Sequence, residues 1–350
     1  MTPPRVSSAE GGLIALQSLE TRGGVKKAAI GVDIGGTSVK LGLVNPRGQV
    51  ALRDSFLTGH TPGRAGLLNL LVSHIRRFGK EAARSGFKVL GVGIGAPGPI
   101  DVRKGLVHFF PNIPGWRNTP LKKILQSRTH LPVWVDNDAG VMALAEYFFG
   151  AGRGSRNVIA LTLGTGIGGG LVIDGKLFSG PAFSAAEVGH IIINEKGRLC
   201  ACGNRGCVEA YVGGRSFIRE VKARLKKGAK SVLSSWLRTR NTALTPLLVA
   251  QAARRGDPFS KKIWRETGEH LGTALAGLCN VLNPEKIILG GGMAGNGRLI
   301  FGPVIATIRK KAFPIAARSV KVVPAKLGVD AGLVGAAALV FSNKGTREAR

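Results

Sequence analysis

The 350-residue chain has no apolar run of the roughly 18 to 20 residues that a membrane-spanning helix needs. Its longest candidate is the small-residue segment Ala331 to Phe341, so no membrane span is expected. The first 27 residues offer only the short apolar patch Gly11 to Leu16. They lack the longer apolar core and small-residue cleavage site of a secretory signal, which points to a cytoplasmic protein with a flexible leader. Cysteine is scarce: four in all, three of them between Cys200 and Cys207. That rules against a disulfide framework and suits a reducing compartment with a local metal or thiol site. Aromatic residues make up 6% and no helix-turn-helix pattern appears, so a dedicated nucleic-acid module is not expected.

Acidic residues are also few, 20 against 50 basic ones, for a net charge of +30. This imbalance raises nucleic acid, acidic membrane surfaces and phosphorylated small molecules as partners without choosing among them. The densest basic stretch runs from Arg215 to Arg240 with Glu220 as its single acid. Phe217, Val221 and Leu225 recur within it at helical spacing, so it reads as a solvated helix face.

What is present is ordinary globular material, 44% hydrophobic and 20% charged, enough for about two domains. The 52 glycines cluster at Gly35-Gly36, Gly91 to Gly98, Gly164 to Gly170 and Gly290 to Gly292, a distribution that suggests backbone approaching ligands. Ala28 to Asp33 and Val39 to Val44 read as strands around the turn Gly35-Gly36-Thr37, followed by a helix over Gly66 to Ser85 and a buried strand Val89 to Ile94. A Pro-rich loop, Pro97 to Pro120, precedes a helix near Leu121, the strand Val133 to Val135 and a helix from Ala139 to Phe149. The plan then restarts, with Val158 to Leu163, the turn Gly164-Thr165-Gly166 and Gly169 to Ile173, which suggests an internal duplication. Helices follow around Ser216 to Lys227, Thr245 to Arg255 and Ser260 to Leu282. The strand Lys286 to Leu289 and a closing helix Gly332 to Phe341 complete an α/β pattern.

Several constellations carry chemistry. Asp33-x-Gly35-Gly36-Thr37 after an apolar strand suits phosphate: the backbone N–H groups approach, Thr37 donates a hydroxyl, and Asp33 can hold Mg²⁺. Gly164-Thr165-Gly166 offers a second set of phosphate-facing amides. Gly290-Gly291-Gly292 beyond a buried strand fits either a purine site or close helix packing. His190, Cys200, Cys202 and Cys207 provide the donor number and type of a closed tetrahedral structural zinc site, with free thiols or a redox pair as the alternative. Glu187 and Glu209 flank that loop as candidate acceptors for sugar hydroxyls. Asp138, beside Asn137, stands at a helix start and is either an N-cap or a general base.

Together, Asp33-Ile34-Gly35-Gly36-Thr37-Ser38-Val39-Lys40, Gly95-Ala96-Pro97-Gly98-Pro99-Ile100-Asp101, Asn137-Asp138, Glu187-Val188-Gly189-His190 and the segment Cys200 to Glu209 resemble the ROK family of repressors and sugar kinases, from about Ala28 to Phe341. Within it the motifs look like those of bacterial ATP-dependent glucokinases. The resemblance implies an actin-like ATPase (ribonuclease H-like) fold, two α/β domains with an interdomain cleft. Residues 28–136 with 328–343 would form the smaller domain, including a returning C-terminal helix; 137–327 would form the larger domain with the zinc loop. Residues 1–27 would be a leader and 344–350 a tail.

The resemblance further implies phosphorylation of glucose by ATP, with Asp138 as base on the 6-hydroxyl. Gly98, Asn137, Glu187, His190 and Glu209 would contact the sugar. Asp33, Gly35, Gly36, Thr37, Gly164, Thr165, Gly166 and Gly290 to Gly292 would bind ATP. Mg²⁺ and a structural Zn²⁺ are the implied metals, and a homo-oligomer, dimer or tetramer, is expected. Ala185-Ala186 departs from the Ala-Gly frequent in the family. The 27 residues ahead of the first expected strand hold Gly11-Gly12 and Gly23-Gly24 and no two-helix pattern, so the DNA-binding part of a family repressor is not expected. Another hexose (N-acetylmannosamine, N-acetylglucosamine or fructose), polyphosphate as donor, and a sugar-responsive regulator stay open as alternatives.

Overall fold

The structure, a computed structural model, describes residues 26–60, 63–110, 113, 115–239 and 242–344. The expected leader and tail lie almost wholly outside these. The chain divides into two compact units. One takes residues up to Gly154, Ser179–Ser184 and those from Val329 onward; the other takes Ser155–Phe178 and Ala185–Gly328.

The first unit opens with β1 (Lys26–Ile34), β2 (Ser38–Val44) and β3 (Val50–Leu57), then α1 (Gly63–Arg84) and β4 (Phe87–Ala96). Three short strands follow, β5 (Ile100–Asp101), β6 (Leu106–Phe109) and β7 (Arg117–Thr119), paired in a sheet of their own. α2 (Leu121–Thr129), β8 (Val133–Asn137) and α3 (Asp138–Phe149) complete this part. The main sheet has the order β3-β2-β1-β4-β8, antiparallel from β3 to β1 and parallel from β1 to β8. Apolar runs without alternation make β1 and β4 the central strands, buried on both faces, as parallel pairing under helices requires.

The second unit repeats the plan with β9 (Val158–Leu163), β10 (Ile167–Ile173) and β11 (Lys176–Phe178). A helical section follows: α4 (Glu209–Val212), α5 (Gly214–Lys226), α6 (Val232–Thr239), α7 (Pro246–Arg254) and α8 (Pro258–Leu282). β12 (Lys286–Gly290), α9 (Gly291–Ala294), α10 (Arg298–Lys311), α11 (Pro314–Ser319) and β13 (Lys321–Pro324) close it. Its sheet order, β11-β10-β9-β12-β13, carries the same strand directions as the first. The restart read from the sequence is therefore a repeat of topology. Local chemistry sets the long helices: Thr245 and Asp257 accept hydrogen bonds from Leu248 N–H (3.2 Å) and Ser260 N–H (2.9 Å), and Pro246 and Pro258 occupy the first helical position.

The last helix, α12 (Ala331–Asn343), returns to the first unit and is buried on every side from Ala331 to Phe341. Its backbone lies directly on the sheet. A Cβ at Gly93 would stand 1.7 Å from the Ala336 carbonyl oxygen, and one at Gly31 1.9 Å from that of Leu333. No rotamer relieves a clash with backbone. Gly93→Ala is therefore expected to cost at least the upper end of the overpacking range, about 3 kcal/mol. An unchanged urea midpoint would contradict this packing.

α3 also packs along α12, with the Val141 carbonyl against Gly335. That contact keeps residues 138–149 in the first unit, so the division falls after Gly154 rather than at the expected position 136.

Candidate active site and metal centre

In the first unit the junction of β8 and α3 carries Asp136, Asn137 and Asp138. The cap of α3 is Asn137: its Oδ1 accepts from the N–H groups of Ala139 (3.0 Å) and Gly140 (3.4 Å). The capping role considered for Asp138 thus belongs to its neighbour, and Asp138 is the first helical residue, half-buried, with Oδ1 2.8 Å from Ala139 N. Asn137 Nδ2 donates to the Gly98 carbonyl (3.2 Å), which ties the loop after β4 to the same place.

Asp136, by contrast, is buried. It is 9% exposed and accepts from Asn137 N–H at 2.7 Å, yet burial pushes its carboxyl up to about 6. A carboxyl raised above its unfolded value stabilises the fold in full below the unfolded pKa. That contribution is lost as pH rises through the folded one. The rise from 3.8 to about 6 corresponds to a cost near neutral pH of about 3 kcal/mol at most. Asp136→Asn should remove it, so the variant gains stability at pH 8 and little at pH 4. Urea unfolding at both values tests this; an equal gain at both would contradict it.

Asp33 is the penultimate residue of β1, and the following turn is held by Gly35 N–H on the Ser38 carbonyl (2.9 Å) and by the Thr58 hydroxyl on the Gly36 carbonyl (2.7 Å). The Asp33 carboxylate packs against Gly332 at the start of α12, where a Cβ would come within 2.3 Å of Oδ2. Burial raises its pKa while Lys40, its partner in the β1–β2 register, opposes the rise. A carboxylate desolvated beside a glycine turn is a suitable anchor for a hydrated cation on phosphates.

In the second unit the Gly164-Thr165-Gly166 turn joins β9 to β10, with Gly164 and Thr165 exposed. α5 begins on this turn: Gly214 N–H donates to the Gly164 carbonyl (2.9 Å) and Arg215 N–H to that of Thr165 (3.2 Å). Glu209 reaches it too, its Oε2 accepting from Ile167 N–H at 2.7 Å. Parallel pairing of Gly290 with Thr162 brings the Gly290-Gly291-Gly292 segment to the same end of the sheet.

The metal-binding candidates converge. His190 Nδ1 lies 3.8 Å from Cys200 Sγ, Cys202 Sγ lies 3.7 Å from Cys207 Sγ, and all four donor atoms fall within 4.8 Å of one another. A zinc ion with tetrahedral donors at about 2.0 to 2.3 Å spaces those donors about 3.3 to 3.8 Å apart, so the residues fit this group. Burial pushes the Cys207 thiol up to about 12, and a cation among the thiols would offset that cost. The knuckle needs Gly206, whose φ is +76° and where a Cβ would meet the Asn194 carbonyl oxygen at 1.7 Å. With Nδ1 toward the thiols, Nε2 of His190 faces Glu187, 3.9 Å from its Oε2.

Each unit thus gathers its own subset of the residues singled out in the sequence: Asn137, Asp138 and Gly98 in one; Glu187, His190 and Glu209 with the cysteine loop in the other. Other participants were not legible as such. Arg198 fastens the cysteine loop to the helices: its N–H donates to the Tyr211 hydroxyl (3.1 Å), its guanidinium pairs with Glu220 (2.9 Å) and lies 4.7 Å over the Tyr211 ring. Its place two residues before Cys200 was the available signal. Ala186 has φ +70°, a left-handed conformation that costs a side-chain-bearing residue about 1 to 2 kcal/mol. The departure from Ala-Gly therefore falls where glycine is favoured, directly before Glu187.

Among the described residues no helix is long and apolar enough to cross a membrane. The family described as ROK matches residues 29–343. A glucokinase of Thermotoga maritima is 37% identical over 317 residues, covering 90% of this chain and 98% of its own. A xylose repressor of Caldicellulosiruptor bescii is 34% identical over 314 residues, 90% of this chain and 78% of its own. Among solved structures, a ROK family glucokinase from Streptomyces griseus in complex with glucose and AMPPNP superposes with a TM-score of 0.72 at 37% identity, covering 89% of this chain and 98% of that one. The repeated sheet topology is thus that of an actin-like ATPase fold, and the chain belongs to the ROK family.

Proposed function

We propose that the protein is a hexose kinase that transfers the γ-phosphoryl group of ATP to the 6-hydroxyl of glucose. The observation that carries this reading is the division of labour at the start of α3. Asn137 satisfies the helix end, so the Asp138 carboxylate is not needed as its cap. Asp138 would accept the proton of the 6-hydroxyl as that oxygen attacks phosphorus, while positioning supplies most of the rate. Similarity to glucokinases over most of the chain supports glucose and ATP as the substrates.

Asn137, Gly98, Glu187, His190 and Glu209 are the groups we assign to sugar hydroxyls. Glu209 would use its remaining acceptor capacity, since Ile167 N–H already fixes one oxygen. Asp33 with Gly35, Gly36 and Thr37, and Gly164 to Gly166, would bind the phosphates, and Gly290 to Gly292 the rest of the nucleotide. Mg²⁺ held through Asp33 would supply charge neutralisation at the phosphates. His190, Cys200, Cys202 and Cys207 would hold Zn²⁺, a closed set whose chemistry is to cross-link the loop that carries Glu187 and His190.

A coupled assay across glucose, mannose, fructose, glucosamine and both N-acetylhexosamines tests the substrate. Glucose should give the highest kcat/KM. Preference for an N-acetylhexosamine would keep the mechanism and replace the sugar. Lack of turnover together with sugar-modulated, sequence-specific DNA binding would favour a regulator.

A further inference from the structure

α4 is a single helical turn, Glu209–Val212, too short to hold itself in place by its own hydrogen bonds. Ala210 and Val212 are buried and apolar, and such contacts carry no direction. The two polar side chains of the turn are Glu209, assigned above to the sugar, and Tyr211.

Tyr211 is buried, and separate parts of the second unit meet on it. Its hydroxyl accepts from Arg198 N–H at 3.1 Å, and a Cβ at Gly197 would stand 2.1 Å from that oxygen, so the segment leading into Cys200 lies directly on it. Its ring lies 4.4 Å from that of His270 on α8. Arg198 is itself held, since its guanidinium pairs with Glu220 at 2.9 Å and covers the Tyr211 ring. The far end of the cysteine loop runs straight into α4: Cys207 is two residues before Glu209, and Val208 N–H donates to the carbonyl of Ile191 (2.9 Å), the residue after His190. Beyond α4, the N–H groups of Gly214 and Arg215 bind the Gly164-Thr165 turn through backbone alone. The place of Glu209 is thus fixed toward the turn by backbone hydrogen bonds and toward the cysteine loop by one side-chain hydroxyl.

We propose that Tyr211 is a positioning residue for the sugar: its hydroxyl, seated under Arg198, fixes the Glu209 carboxylate relative to Glu187 and His190. The inference rests on the kinase reading above. It places the effect on glucose binding and not on transfer, because Asp138 belongs to the other unit and the hydrogen bonds to the Gly164-Thr165 turn do not involve the ring.

The test measures the kinetics of the full chain with zinc, glucose and MgATP. Tyr211→Phe keeps the ring beside His270 and removes the acceptor of Arg198 N–H. KM for glucose should rise about five- to tenfold, the cost of leaving that donor unpaired or moving it. The kcat, the KM for ATP and the zinc content should stay at the wild-type level, which also shows that the variant folds. In a Glu209→Gln background, where an amide oxygen still accepts from Ile167 N–H, the same change should add little, because both act through one group. Glucose Kd from calorimetry replaces KM where turnover is too slow. Independent, multiplying effects in the double variant would make Tyr211 a packing residue and overturn the inference, as would loss of zinc from the phenylalanine variant or its failure to fold. An unmoved KM for glucose, or an equal rise in both KM values, overturns it and leaves the kinase reading standing. Absence of glucose turnover in the unaltered protein overturns both.

Discussion

Asp138→Asn is expected to lower kcat for glucose phosphorylation by about 10²- to 10⁴-fold, the share that a positioned general base supplies. Stability should hardly move, because the cap of α3 is Asn137 and an amide oxygen at 138 can still accept from Ala139 N–H. The contrast separates Asp138 from its two neighbours. Asn137→Ala removes the cap as well as the link to Gly98, so it should cost about 1 kcal/mol of stability alongside any kinetic loss. Asp136→Asn should stabilise the protein above pH 6. A 138 variant with near wild-type kcat would end its assignment as the base.

Loss of the proposed Zn²⁺ is expected to have the second large effect. Chelation, or Cys207→Ser, should release zinc and raise KM for glucose by about 10- to 100-fold, the usual penalty for loosening the shell around a site. The reason is positional. His190 faces the cysteine cluster through Nδ1 and Glu187 through Nε2, so the loop assigned to the metal also sets two of the groups assigned to the sugar. Cys279→Ala is the control: that thiol is buried in α8, apart from the cluster. Full zinc content in the Cys207 variant, or an unaltered KM after metal removal, would contradict this role.

Strands bounded by glycine turns were readable because buried parallel strands demand uninterrupted apolar runs, as in β1, β4, β9 and β12. β3 was not read. It is an edge strand with alternate residues in solvent, among them Arg53, and its sequence lacks an apolar run. α10 escaped notice because Pro303 sits inside it; the proline packs against Gly268 of α8, a tertiary contact that compensates for a residue the helix interior disfavours. β5 to β7 have two to four residues each within a proline-rich segment, too short to show a period.

Of the candidate site, the convergence of His190, Cys200, Cys202 and Cys207 was legible, since metal chemistry limits the residue types that serve. What stayed hidden was which of two adjacent side chains, Asn137 or Asp138, would cap α3. Both are good capping residues, and the backbone at 137, extended with φ −64° and ψ 145°, decides it. Burial of Asp136 was likewise hidden, because it depends on what packs over the end of β8.

The most direct measurement is phosphorus and carbon NMR of a reaction of the full chain with zinc, MgATP and glucose. The account predicts equimolar ADP and glucose phosphorylated at carbon 6, with no phosphate released in the absence of sugar beyond a slow background. Phosphorylation at another carbon, or ATP consumption that ignores glucose, would contradict the assignment of Asp138 and of the sugar-binding groups together.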